Sequence, residues 1–262
     1  MKIPLYQVDA FTSRVFSGNP AAVCLLDGWP DDTLLQSIAA ENNLSETAFL
    51  VRRGAAVELR WFTPRVEVAL CGHATLAAAY VLFVCKQWMQ DRIPFLTRSR
   101  GELTVTRKGD LIEMDFPALP ALRSVPAASL KPALGVTPMK CLASEEDLLA
   151  VLDSEDAVRK ARPDLSALAA FDCRGVIITA QGNTSDFVSR FFAPRVGISE
   201  DPVTGSAHCV LAPYWADQLG RTDLRALQVS ARGGEIFCRY KGNRVHIAGR
   251  AVLYLEGEIR LP

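Results

Sequence analysis

Alternation and helical spacing divide the chain into short elements. Val57-Glu58-Leu59-Arg60-Trp61-Phe62 alternates toward a strand that ends at Pro64, and Asp186-Phe187-Val188-Ser189-Arg190-Phe191-Phe192 does the same before Pro194. Leu34, Leu35, Ile38 and Ala39 share one helical face behind a cap at Asp31 or Asp32, and that helix ends near Asn42-Asn43. Ser144-Glu145-Glu146-Asp147 has the form of a capping box opening another helix, and Pro163 stops a further helical stretch. From Ala74 to Cys85 no residue is charged. A helix that is apolar all round has no face for water, so this one is expected to be buried.

The pattern repeats. Arg60-Trp61-Phe62-Thr63-Pro64-Arg65-Val66 matches Arg190-Phe191-Phe192-Ala193-Pro194-Arg195-Val196 at five of seven positions, offset 130. Cys71-Gly72-His73-Ala74 then matches Thr204-Gly205-Ser206-Ala207 at offset 133, as do Gly101-Glu102-Leu103 with Gly234-Glu235-Ile236 and Lys108-Gly109-Asp110 with Lys241-Gly242-Asn243. Ordered matches at a nearly constant offset mean two halves of one fold, since solenoid periods are only about 20–50 residues. Each half reads as strand, loop, glycine, helix and then a hairpin turn at Lys108-Gly109-Asp110-Leu111 or Lys241-Gly242-Asn243-Arg244. The expectation is an α+β protein of two pseudo-symmetric lobes, each an antiparallel barrel-like sheet around a central helix. The lobes are expected at 1–117, with a strand at about 252–262 returning to it, and 118–251. The proline-rich stretch from Pro117 to Pro138 reads as the connection between them. The second lobe's helix meets Pro213 in its third turn and is expected to be shorter or kinked.

Composition narrows the class. The 262 residues are 49% hydrophobic and 22% charged, which suits a globular chain with a sizeable core. Lys plus Arg and Asp plus Glu are 29 each, so no basic excess offers a face to nucleic acid. The longest apolar run, Leu76 to Cys85, is far short of the ~20 residues that span a bilayer. The first residues carry no apolar signal core. Seven dispersed cysteines without a C-x-x-C pair fit free thiols in a reducing cytoplasm. The three histidines lack ligand spacing, so no metal is expected, and the glycine motifs for dinucleotides or phosphate loops are missing.

Three segments could carry chemistry. In Ser45-Glu46-Thr47-Ala48-Phe49, Glu46 stands where a helix exit becomes an apolar strand. It is either a solvated strand end or a partly desolvated acid/base whose pKa burial raises toward working pH. Cys71-Gly72-His73-Ala74-Thr75 and Asp201-Pro202-Val203-Thr204-Gly205-Ser206-Ala207-His208 each place a glycine at a helix start. Either is a plain helix cap or a place where unpaired N–H groups meet an anion. Facing one another across a cleft between the lobes, the two could hold one small carboxylate.

Together with Asp9-Ala10-Phe11-Thr12 and Gly18-Asn19-Pro20-Ala21-Ala22-Val23, these motifs resemble the PhzF family of phenazine-biosynthesis-like proteins, within the diaminopimelate epimerase superfamily. The likeness runs in family order from residue 9 to 208. It implies a cofactor-free isomerase in which Glu46 shuttles a proton, with His73 and Asp201 assisting. It implies further that Asn19, Cys71, Gly72, Thr204, Gly205 and Ser206 line the substrate site, and it makes a homodimer a reasonable expectation. The superfamily's epimerases use two facing cysteines, here Cys71 and Thr204. A symmetric thiol relay is therefore missing, which leaves two rivals: a one-sided, Cys71-dependent racemase or dehydratase, and a non-catalytic metabolite binder.

Overall fold

The computed structural model describes residues 1–261. The chain forms two compact units, Met1–Asp115 with the segment from Ala248 onward, and Phe116–Ile247. The first contains β1 (Lys2–Ala10), β2 (Asn19–Leu26), α1 (Asp32–Asn42), β3 (Glu46–Arg53), β4 (Ala56–Phe62), β5 (Glu67–Val68) and α2 (Gly72–Tyr80). α2 is continued by a wider π-helical turn, Val81–Cys85, and followed by β6 (Arg92–Thr97), β7 (Gly101–Lys108) and β8 (Leu111–Pro117), which leads out of the unit. The second contains β9 (Arg123–Val125), α3 (Ala127–Leu134), β10 (Lys140–Ala143), β11 (Asp147–Val151), α4 (Glu155–Lys160), α5 (Leu165–Ala169), β12 (Gly175–Gln181) and β13 (Phe187–Ala193). β14 (Ile198–Asp201), α6 (Gly205–Leu219), β15 (Asp223–Gln228), β16 (Gly234–Lys241) and β17 (Arg244–Gly249) complete it, and β18 (Ala251–Arg260) returns to pair with β1.

The internal repeat is visible in the ladders. In the first unit β18–β1 and β1–β2 are antiparallel, β2–β3 parallel, β3–β4 antiparallel, β4–β6 parallel and β6–β7 antiparallel. In the second, β9–β10, β10–β11, β11–β12, β12–β13, β13–β15 and β15–β16 follow the same sequence of directions. The sheets are thus mostly antiparallel, with two parallel pairs in each. The turns before β8 and β17 use Gly109 and Gly242 at φ 65° and 67°.

Each sheet is covered on both faces, and the apolar runs explain why. α2 is buried from His73 to Ala79 and packs on β1, β2, β3 and β18. α1 lies on another face, where Leu35, Ile38 and Ala39 meet Cys24, Phe49 and Phe62. In the second unit α6 packs on β15 and β16. Leu130, Leu134, Val158 and Leu168 of the smaller helices cover Ala150, Ile178 and Val188. No helix among the described residues is long and apolar enough to cross a membrane.

Four local expectations are corrected in whole or in part. The stretch between Pro117 and Pro138 belongs to the second unit and forms β9 and α3; Leu130, Ala133 and Leu134 are buried at helical spacing that the prolines had masked. Ser144-Glu145-Glu146-Asp147 opens a strand. The Ser144 hydroxyl accepts from the Asp147 N–H at 3.0 Å, closing the turn between β10 and β11. Asp31 is the N-cap of α1 by position, as expected, but makes no side-chain capping bond, and the Asp32 carboxylate accepts from Arg60 at 2.8 Å. α6 runs 15 residues in all, Gly205–Leu219, through Pro213, so it is not the shortened helix expected. Proline removes the donor to the carbonyl four residues back. That carbonyl, on Cys209, accepts from the Leu119 N–H at 2.9 Å, so its loss is made good.

The loop between β1 and β2 delivers Asn19. Phe11 and Phe16 hold positive φ of 62° and 69°, and the Asp9 carboxylate accepts from the Phe16 N–H at 2.9 Å. Gly18 has φ 68°, and a Cβ there would stand 2.1 Å from the Ala10 carbonyl oxygen. Gly18→Ala should therefore lower unfolding stability by about 2 kcal/mol or more, from left-handed strain and backbone overlap together. Urea denaturation measures this; a loss within ~0.5 kcal/mol, the range of an ordinary surface substitution, would show that the loop has another way to close.

Candidate active site

In the first unit the predicted residues converge. Glu46 opens β3 beside Ala21 in the parallel ladder, and α1 ends just before it at Asn43, which is left-handed at φ 48°. Cys71 is the extended residue before α2, and Gly72 and His73 form that helix's first turn. His73 Nε2 lies 3.1 Å from Glu46 Oε2, with side-chain exposures of only 7% and 13%. Charge at close range is the larger part of this contact and hydrogen bonding the smaller. The other ring nitrogen, Nδ1, is 3.2 Å from Asn19 Nδ2 and 3.5 Å from Cys71 Sγ. In a neutral ring Nδ1 accepts from the Asn19 amide and Nε2 carries the proton toward Glu46. A protonated ring turns Nδ1–H to the sulfur. Thr75 fastens the helix start by donating its hydroxyl to the Cys71 carbonyl at 2.6 Å.

Burial would raise the pKa of Glu46, as expected from its sequence position. The charge of His73 and hydrogen bonds from His73 and Cys71 outweigh it, and the carboxyl lies below its usual 4.5. This corrects the expectation of a raised acid: sequence revealed the apolar strand but not the imidazole above it. Burial likewise would lower His73, yet a hydrogen bond with the Cys71 thiol and the charge and hydrogen bond of the Glu46 carboxylate lift it above 6.5. The Cys71 thiol is pushed up, first by burial and then by Glu46, which favours the neutral S–H. One ligand atom from each of Glu46, Cys71 and His73 falls within 4.8 Å of the others, so these are the residues that could hold a metal ion. Such an ion would compete with the Glu46–His73 contact for the same atoms.

The second unit gathers the other predicted residues at the start of α6. Asp201 ends β14, Thr204 precedes the helix, and Gly205 and Ser206 form its first turn. The Thr204 hydroxyl donates to Asp201 Oδ2 at 2.5 Å. Gln228, 1% exposed, accepts from the Thr204 N–H at 2.9 Å and donates to the Asp201 carbonyl at 2.8 Å. Sequence reasoning passed over Gln228, a polar residue closing a strand with nothing nearby to mark it. His208 is fully buried, donates Nδ1–H to the Thr204 carbonyl at 2.8 Å, and is lowered by burial to about 4. It is a neutral structural counterpart of Thr75, which holds the same carbonyl in the first unit. Arg174, also missed, donates from Nη1 to Ser206 Oγ at 3.0 Å.

A family model for phenazine biosynthesis-like proteins, PhzC-PhzF, matches residues 8–257. The chain belongs to the PhzC-PhzF family. It is similar to a Pseudomonas aeruginosa protein named as an uncharacterized isomerase, at 56% identity over 100% of both chains. The solved structure of a phenazine biosynthesis protein of the PhzF family from Enterococcus faecalis covers 100% of both chains at 48% identity, with a TM-score of 0.97. A hydroxyproline epimerase from Agrobacterium vitis, at 12% identity, aligns over 98% of this chain and 92% of its own with a TM-score of 0.61, a likeness of fold. This PhzF-like protein is thus an enzyme of the isomerase class.

The opposite shifts of Glu46 and His73 make the pair's stabilisation depend on pH. A depressed carboxyl contributes above its unfolded pKa and loses that contribution as pH falls through the folded value, below 4.5. A raised imidazole contributes below its unfolded pKa and loses it as pH rises through the folded value, above 6.5. The thermal stability of wild type relative to Glu46→Gln should be greatest between these limits and shrink on both sides. A difference independent of pH would mean the two groups are not paired as ions.

Proposed function

We propose that this isomerase moves a proton between carbon atoms of a small carboxylate-bearing metabolite, without a cofactor, and that Glu46 is the base. The observation that carries the reading is the buried Glu46 Oε2 at 3.1 Å from His73 Nε2. That contact keeps Glu46 ionised, and so able to accept a proton, in a place largely closed to water. Glu46 takes a proton from a carbon beside an electron-withdrawing group and becomes the neutral acid. The electron pair moves into the conjugated system, and the proton returns at another carbon, so a double bond shifts with no change in composition. The His73 imidazolium steadies the carboxylate before and after, and Asp201 assists in polarising the substrate. The Gly205 and Ser206 N–H groups, at the positive end of α6, bind carboxylate. Cys71, held as a neutral thiol, and Thr204, whose proton is given to Asp201, support Glu46 rather than a thiol relay.

The test is a screen of small carboxylic acids in deuterated water, with mass spectrometry for carbon-bound deuterium. With a substrate so found, Glu46→Gln should cut turnover by ~10²–10⁴, the range for loss of a general acid/base, while ligand affinity is kept. Cys71→Ser should cost far less. Full activity in Glu46→Gln with inactivity in Cys71→Ser would move the base to the thiol. A ligand that binds and never exchanges would mark a non-catalytic binder.

A further inference from the structure

We propose that Arg174 is a positioning residue that turns the Ser206 hydroxyl into a donor for a substrate carboxylate; this rests on the carboxylate-binding role assigned above to the start of α6. The repeat supplies the first argument. Thr47 pairs with Phe62 and Val176 with Phe192, and the two phenylalanines are equivalent by sequence. Glu46 is therefore equivalent to Gly175, and the residue before it, Ser45, to Arg174. His73 and Ser206 are equivalent at offset 133. In both units the residue at or just before the start of an equivalent strand, β3 or β12, touches the second residue of the central helix: Glu46 with His73, Arg174 with Ser206. The first contact is an acid with an imidazole and the second a cation with a hydroxyl. One half is furnished for proton transfer and the other for an anion.

The local geometry supplies the second argument. A Cβ on Gly175 would meet the Phe191 ring at 2.3 Å, so a side chain standing where Glu46 stands in the first unit would displace that ring. That same ring carries the Arg174 guanidinium at 5.4 Å. Arg174 is gripped by Asp147, which is 1% exposed, through Nε at 2.9 Å and through a short contact from Nη2. With the fork so held, Nη1 points at Ser206 Oγ, 3.0 Å away. A serine oxygen that accepts from a guanidinium must send its own proton elsewhere. Among the described residues that proton has no acceptor, and Ser206 is part-exposed. An arriving carboxylate oxygen supplies the acceptor, and the cation behind the hydroxyl strengthens the bond.

Arg174→Lys isolates the function, because lysine keeps a cation beside the buried Asp147 but has one nitrogen and cannot serve both partners in the same geometry. Isothermal titration with sodium benzoate should show Ser206→Ala and Arg174→Lys each weakening binding roughly five- to tenfold, the loss of one hydrogen bond. The double variant should bind no more weakly than either single one. The infrared carboxylate stretch of bound ¹³C-carboxyl benzoate should move toward its free value in both variants, a signature that a purely structural role would leave in place. Wild-type affinity in Arg174→Lys, or a loss that persists undiminished in the Ser206→Ala background, would overturn the inference while leaving the carboxylate site intact. If wild type ignores benzoate, or Ser206→Ala binds it unchanged, the carboxylate reading of α6 falls and Arg174 with it.

Discussion

A helix with no polar face cannot lie on a surface, and this constraint orders each unit. α2 is buried from His73 to Ala79, and α6 is buried over most of its length. Strands must pass around such a helix, and smaller helices must cover their other face. A buried helix presents its backbone donors only at its N-terminus. Charged and hydrogen-bonding side chains gather there, at Cys71-Gly72-His73 in one unit and at Thr204-Gly205-Ser206 in the other.

From that shared plan the two ends have diverged by substitution. The N-cap carbonyl is held in both, by Thr75 from one side chain and by His208 from another. What surrounds it differs. Asn19, Glu46 and Cys71 converge on one imidazole, whereas Asp201, Gln228 and Thr204 are hydrogen-bonded to one another. Opposite charge at close range holds Glu46 and His73 ionised against a desolvation penalty that would neutralise either alone. Thr204 offers no second thiol, and its hydroxyl donates to Asp201.

Much of the frame was legible in the chain itself. Val57 to Phe62 alternates, Leu76 to Cys85 is apolar throughout, and the offsets of 130 and 133 announce a duplicated fold. These signals are local or periodic, and the hydrophobic effect acts on them wherever the chain folds. Local signals also misled. Ser144 opens a turn because five buried residues after it demand a strand, and Pro213 is tolerated because Leu119, distant in sequence, takes the freed carbonyl. Both outcomes were decided by partners that short motifs do not contain.

The candidate residues were nameable from sequence, and their electrostatics were not. Glu46 at an apolar strand end reads as a raised acid until His73, 27 residues later, is found 3.1 Å away. Arg174 and Gln228 look like ordinary polar residues at strand ends until Asp147 and Thr204 are brought against them. The sequence by itself determined the strongly periodic elements, the duplication and the chemical types on offer, because backbone preference and apolar burial are written in near neighbours. Tertiary structure alone decided which groups ionise and which are spent on one another. Charge and hydrogen bonding act over a few ångströms of space, without regard to distance along the chain.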